Sequence, residues 1–583
     1  MDASRTPGTP GTPRTSRAPR PLRRLGRAAA LAAAVALAVT ACTSGGGGSG
    51  GDVAKSEPPR QDSQDINVKP VDQLKDGGEV RFQLDQWITQ WNPLQVDGGS
   101  YNDTVDLMRA LEPDLFSTDA SGTFVANPDY LAEAKVTSTS PQVVTYKLNP
   151  KAKWSDGKPL GYLDFKADWQ ASNGKNQAYN LYDPSGYELI SAVEQGADPT
   201  EVKVTFAQPY ADWQNLFRPL IPAAGISTPD DFNKGWVEKV PITAGAFRIG
   251  TADKTAQTIS LVPDPAWWGT RAKLDKITFR VMDKSASIQA YLNNEIDFAS
   301  AGTAAAYGQL KNAKDTVIRS ASPWDEVHIS FGGTGALADR TVRQALGKAL
   351  DRSALIKIAN NGVPVEFKPL GNHIIMPNQA GYQDNSGDWA TFDLAAAGKL
   401  LDDAGWKSAG AGQPRTKDGK PLELHWVLSD GTAQAQLDLA TAAAAMWQAA
   451  GVKVDLDKVA ANDYFDKYVT PGKFDIASWR NTDSFPNSKS LANFRLPVGD
   501  NTFSNPSRLG TPEIDALLKQ ASGTVDPVAA AKLYNQADAK IWELGHTVEL
   551  YQRPAVVATR KGLANYGAFG LAQEDYSKVG WEK

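Results

Sequence analysis

Cys42 is the one thiol in 583 residues. A single cysteine excludes a disulfide framework or a cysteine-built zinc cluster within the chain. The four histidines, His328, His373, His425 and His546, stand far apart and form no ligand-spaced motif. Each alone reads as a structural histidine, so neither a metal nor another cofactor is expected. The chain has no Gly-x-Ser-x-Gly elbow, no His-Glu-x-x-His helix and no phosphate loop. The run Gly332-Gly333-Thr334-Gly335 is too generic to mark a nucleotide site. Residues 474–486 carry more mixed chemistry, with Trp479 and Phe485 interleaved with Arg480, Asn481 and Asp483. By residue type alone this is as readily a surface loop with a capping aspartate as a binding segment.

The position of Cys42 gives it a use. Arg20, Arg23, Arg24 and Arg27 precede an apolar run over 28–41, too short to span about 30 Å of hydrocarbon. A basic region, a short apolar region and small residues make a secretory signal. The run ends Val39-Thr40-Ala41-Cys42, which resembles the bacterial lipobox, whose cysteine is lipidated. Residues 1–41 are therefore expected to be removed, and lipid on Cys42 to hold the protein on the outer face of the cell membrane. The Gly/Ser run after Cys42 and the polar sequence to about Gly77 predict a flexible linker over 42–77, a coil of roughly 30 Å r.m.s. span. Without the seven Arg and one Asp of the signal, net charge moves from −5 to −11. An acidic body argues against nucleic acid, because that affinity comes from Lys and Arg displacing counterions.

The elements that must position any site are legible from periodicity. Residues 79–84, 142–148 and 201–206 alternate polar and apolar, the period of a strand. Asp156-Gly157 marks a turn before a helix over 162–169. Asp339 can cap a helix carrying Val342, Leu346, Ala349 and Leu350 on one stripe, and Ser353 its continuation to Ala359. The Ala-rich stretch 433–450 predicts a helix stopped by Gly451, followed by a strand over 452–456. Further helices are expected over 511–520 and 527–544. Strands and helices interleave throughout, which is the pattern of α/β domains.

Several stretches resemble one family, the large extracytoplasmic solute-binding proteins of peptide ABC importers (the oligopeptide, dipeptide and nickel group). Val144-Thr145-Tyr146-Lys147-Leu148 through Trp154-Ser155-Asp156-Gly157-Lys158-Pro159-Leu160 resembles its "YTFKLRKGVKWSDGTPL" stretch. Trp91-Asn92-Pro93-Leu94 resembles "LNPL", and Asp264-Pro265-Ala266-Trp267-Trp268-Gly269 resembles "NPDYWG". Asp339 to Asp351-Arg352 resembles "DVRVRQALSYAIDR", and Leu400 to Trp406 resembles "LLAEAGY". Their shared order runs from about residue 78 to 583. The resemblance implies a two-lobed, type II periplasmic-binding-protein-like α/β fold with an inserted third domain. On that template lobe I takes 78–114, 240–325 and 546–583, the insertion 115–239, and lobe II 326–545. Crossings near 327–331 and 544–550 would be hinges.

The same resemblance implies a monomer that closes on a short peptide and delivers it to an ABC permease. The segment 474–486 resembles "YDMALxxWxADYxDP", whose aspartate receives the peptide's amino terminus. By position Asp483 would be that carboxylate, although it lies one residue later after the tryptophan than the pattern has it. Trp479 and Phe485 would be cleft walls, and Arg480 and Asn481 polar contacts. Asp97, Tyr101 and Trp91, at and after the opening motif, are further cleft candidates. The rival readings are a secreted hydrolase built on carboxylate pairs, a binder of a nickel chelate, haem or sugar within the same family, and a surface adhesion or signalling lipoprotein.

Overall fold

The computed structural model describes residues 64–583 except Tyr101, Asp483, Ser484 and Asp500. The expectations for the signal, Cys42, Tyr101 and Asp483 lie outside the described residues. Among those described, no helix is long and apolar enough to cross a membrane.

The alternation at 79–84 becomes the strand Glu79–Leu84, with Val80, Phe82 and Leu84 buried. It pairs in parallel with Lys276–Val281, and Thr258–Pro263 and Phe247–Asp253 complete a four-stranded sheet. A second sheet of four antiparallel strands joins Leu131–Thr139, Gln142–Leu148, Glu201–Phe206 and Ile190–Gln195. Val144, Tyr146 and Leu148 meet Val202, Val204, Phe206 and Phe165 in its core. This sheet does not stand apart as the expected boundary at 239 suggests. Ile221, Ile226, Phe232 and Trp236 lie in the core of the first sheet, as do Ala167 and Ala171 of the helix Tyr162–Ser172. The helix is apolar on two sides, so it belongs to both cores at once.

The third sheet is the largest. Glu423–Ser429 and Lys453–Val459 run parallel and are joined by the helix Gln434–Ala449, since parallel neighbours need a crossover. Gly451, at φ +84°, ends that helix where expected. Ile476–Ala477, Glu326–Phe331, Arg480–Asn481 and Thr547–Gln552 extend the sheet. The helices Arg340–Lys348 and Arg352–Ala359 cover it. Asp339 caps the first, as its position predicts, but the second is capped by Asp351, whose side chain accepts from the Ala354 backbone. Ser353 is exposed within the first turn. An aspartate at the earlier position reaches the free amide of the first turn.

The linker expected to reach Gly77 ends sooner. Ile66 and Leu74 are buried, Asp65 accepts from Arg319 at 2.6 Å, and the Asp65 backbone pairs with Ala568. Two apolar side chains and one carboxylate in an otherwise polar stretch suffice to dock it once the C-terminal segment supplies partners.

Candidate functional site

Every residue of Glu326–Phe331 is buried, although half of them are polar. Alternation explains this. Val327, Ile329 and Phe331 enter the apolar core of the third sheet. Glu326, His328 and Ser330 point the other way, into a cavity of about 710 Å³. The neighbouring strand Thr547–Gln552 repeats the pattern, with Val548 and Leu550 in the core and Thr547 and Glu549 at the cavity. The two strands pair antiparallel, with His328 opposite Glu549 and Ser330 opposite Thr547. One side chain lies within about 5 Å of its cross-strand partner in such a pair.

The cavity floor is therefore acidic and imidazole-rich. His328 Nδ1 stands 2.9 and 3.0 Å from the Glu326 carboxylate oxygens. His373 Nδ1 lies 2.7 Å from Asp538, which also accepts from Asn385 at 2.8 Å. His546 faces Thr547 Oγ1 at 2.6 Å and Asn505 Oδ1 at 3.0 Å. Burial pushes the Glu326 carboxyl up to about 8 and lifts Glu549 well above the ordinary 4.5, with Glu326 beside it adding repulsion. Burial pushes His328 down, with Glu549 opposing. His373 also suffers burial, but Asp538 outweighs it and the imidazole is raised. His546 falls well below the usual range through burial and the cations around it.

The opposite wall comes from 182–215, including Asp183, Glu188 and Tyr210. The remaining side is supplied by 479–507, including Trp479, Asn481, Phe494 and Arg495. Two hydrogen bonds tie the first wall to the second lining side, which Ser522 continues. Ala211 N donates to Ser522 O at 2.7 Å, and Ser488 N to Asp212 Oδ2 at 3.0 Å. Such a volume is within the range of small-molecule sites, roughly 300–1,000 Å³. Its chemistry suits a polar solute held by hydrogen bonds and charge rather than an apolar one.

Trp479 and Asn481 thus face the cavity, and the Trp479 ring meets His328 edge-on at 4.6 Å. Arg480 does not turn inward. It forms a fork with Asp325 at 3.0 and 2.7 Å. Phe485 stacks on Trp324 at 4.3 Å and lies 5.2 Å from Phe124, beside the cavity rather than on its lining. Trp91 is 2% exposed in the core of the first sheet, and Asp97 is exposed in a short turn of helix where it contacts Gln95; neither lines the cavity. The floor residues Glu326, His328, His373, His546 and Glu549 are those that sequence reading passed over. The available signal was the polar/apolar alternation at 326–331 and 547–550, which ordinarily marks a solvent face.

Residues 128–502 match the family model for bacterial extracellular solute-binding proteins, family 5. The chain is 36% identical over 526 residues to the oligopeptide-binding protein OppA of Mycobacterium tuberculosis, covering 89% of this chain and 87% of that one. The chain belongs to the family 5 extracellular solute-binding proteins. Its members are solute-binding proteins, not enzymes. A second relative from the same organism, a probable monoacyl phosphatidylinositol tetramannoside-binding protein, is 29% identical over half of this chain. Among solved structures, a periplasmic EDTA-binding protein superposes with a TM-score of 0.79 at 24% identity, covering 89% of this chain and 98% of its own. The oligopeptide-binding protein AppA of Bacillus subtilis, bound to a nonapeptide, superposes at 0.68 and 20% identity, covering 88% of this chain and all of its own. The fold of this family 5 binding protein is the type II, two-lobed periplasmic-binding-protein fold with an inserted third domain.

Proposed function

We propose that this binding protein captures short peptides outside the cell and hands them to an ABC permease. The observation that carries the reading is a walled polar cavity floored by the paired strands Glu326–Phe331 and Thr547–Gln552, in a chain 36% identical to a protein named as oligopeptide-binding. The same two strands are the hinges of the reading. Lobe I comprises 78–114, 240–325 and 546–583, with the insertion at 115–239 and lobe II at 326–545. Closure removes the solute from water and adds contacts that the open form lacks, so ligand shifts the population toward the closed state. Trp479 and Asn481 border the peptide, and Asp483 receives its amine, since an unpaired buried ammonium is costly. Removal of the first 41 residues exposes Cys42, and lipid on it holds the monomer on the outer face of the cell membrane.

Native mass spectrometry of the protein purified from its host should show a bound peptide mass. Titration calorimetry with that peptide should give a tenfold or greater loss of affinity in Asp483→Ala. Peptides recovered intact after incubation separate this reading from that of a hydrolase, and cleavage would overturn it.

A further inference from the structure

One donor atom from each of Glu326, His328 and Glu549 lies within 4.8 Å of the others, and all three residues are buried at the cavity floor. The pairing of their strands sets this up, because His328 and Glu549 are opposite each other and Glu326 shares their face two residues away. Two buried carboxyl groups and an imidazole converge there, a donor set that a divalent ion can take. Four arginines around the floor are committed elsewhere. Arg480 and Arg553 both bind Asp325. Arg352 donates to the backbone carbonyls of Leu370 and Glu549, and Arg343 to those of Leu337, Leu544 and Gly545. His373 Nε2 stands 4.0 Å from Glu549 Oε1, beyond hydrogen-bond reach. Glu549 Oε2 is buried and has no hydrogen-bond partner among the described residues.

We propose that Glu326, His328 and Glu549 form a binding site for a first-row divalent metal ion such as Zn²⁺, with its open coordination positions facing the cavity. A mixed oxygen and imidazole donor set suits such ions. Donors about 2.0–2.2 Å from the metal stand roughly 3–3.5 Å apart, so small side-chain rotations close the remaining gap. The ion takes the place of protons on both carboxyl groups, and Asn481, opposite Glu326 in the sheet, stands beside the first ligand. Because the ligands come from two strands, the metal staples the sheet between the lobes and leaves room for a solute donor or water. The metal binds whether or not the solute is a peptide.

The test uses purified protein stripped with a chelating resin and titrated with ZnCl₂ and CoCl₂, without peptide. Wild type should bind one equivalent, and Glu549→Gln and His328→Gln should each weaken binding at least tenfold. His425→Ala should bind as wild type, since His425 lies at the surface with Asp457. Bound Co²⁺ should also quench tryptophan fluorescence, with the quenched component missing in Trp479→Phe, because that ring stands 4.6 Å from His328. If a ligand variant fails to fold, the quenching in wild type against Trp479→Phe decides. No stoichiometric binding by wild type overturns the proposal. So does metal binding lost in His425→Ala and kept in Glu549→Gln and His328→Gln.

Discussion

Glu112 follows the helix Asn102–Leu111, is fully buried, and neither of its carboxyl oxygens has a partner among the described residues. Burial, with Asp164 adding repulsion, raises its carboxyl well above the ordinary 4.5. The folded chain therefore holds a proton that the unfolded chain releases. Stability from this group is complete below the ordinary value and is lost as pH rises toward the raised one, by about 1.4 kcal/mol per pH unit. Glu112→Gln keeps the shape without the titration. Denaturant melts should show variant and wild type alike near pH 4.5 and the variant increasingly more stable up to pH 8. A constant gap across that range would contradict the assignment. The histidines of the cavity floor differ in the same way. His373 is held toward its charged form by Asp538, whereas His546 donates to Asn505 as a neutral ring.

At the scale of elements, capping and turn chemistry give sharp contrasts. Asp351→Ala should cost about 1 kcal/mol in chemical denaturation, the usual loss of an N-cap, while Ser353→Ala, one turn position further on and exposed, should be nearly neutral. Equal effects would mean that the capping hydrogen bond to Ala354 does not form in solution. Gly451→Ala should cost more than 1 kcal/mol. Its backbone sits at φ +84°, and an added Cβ would meet Arg415 Cγ at 2.8 Å. The strand Glu326–Phe331 is the element on which the site depends most. Its register is fixed by three apolar residues in the core, and a slip by one residue would turn its polar face into that core.

On the scale of the whole molecule, two walls that share few elements meet over the cavity. Asp212 accepts from the Ser488 backbone at 3.0 Å, and Phe485 packs between Trp324 and Phe124. If solute enters by parting these walls, the contacts form on closing and slow release. Asp212→Ala is then expected to raise the peptide dissociation rate about tenfold in stopped-flow measurements, with little change in the association rate. An unchanged dissociation rate would mean that this contact is no part of the closing interface. Shared cores temper the independence of the domains. Phe232 and Trp236 belong to the expected insertion yet lie in the core of the first sheet, so motion should divide the molecule at the paired strands rather than at residue 239.

The local elements can be read from the chain alone, because their causes are local. The strands Glu79–Leu84, Gln142–Leu148 and Glu201–Phe206 and the helix Pro527–Leu544 follow from side-chain period, caps and Pro positions within a few residues. Motif order carried the family and the fold as well. It takes the folded chain to bring Glu326, His328, His373, His546 and Glu549, more than 200 residues apart at the extremes, to one buried floor. Alternation in 326–331 shows that one strand face is polar but not whether that face meets water or another wall. Likewise Trp91 reads as a cleft aromatic until packing places it in a core, and Arg480 as a ligand contact until Asp325 arrives beside it from a distant strand end. Burial and charge pairing depend on what the rest of the chain brings near, and that is absent from any short window of sequence.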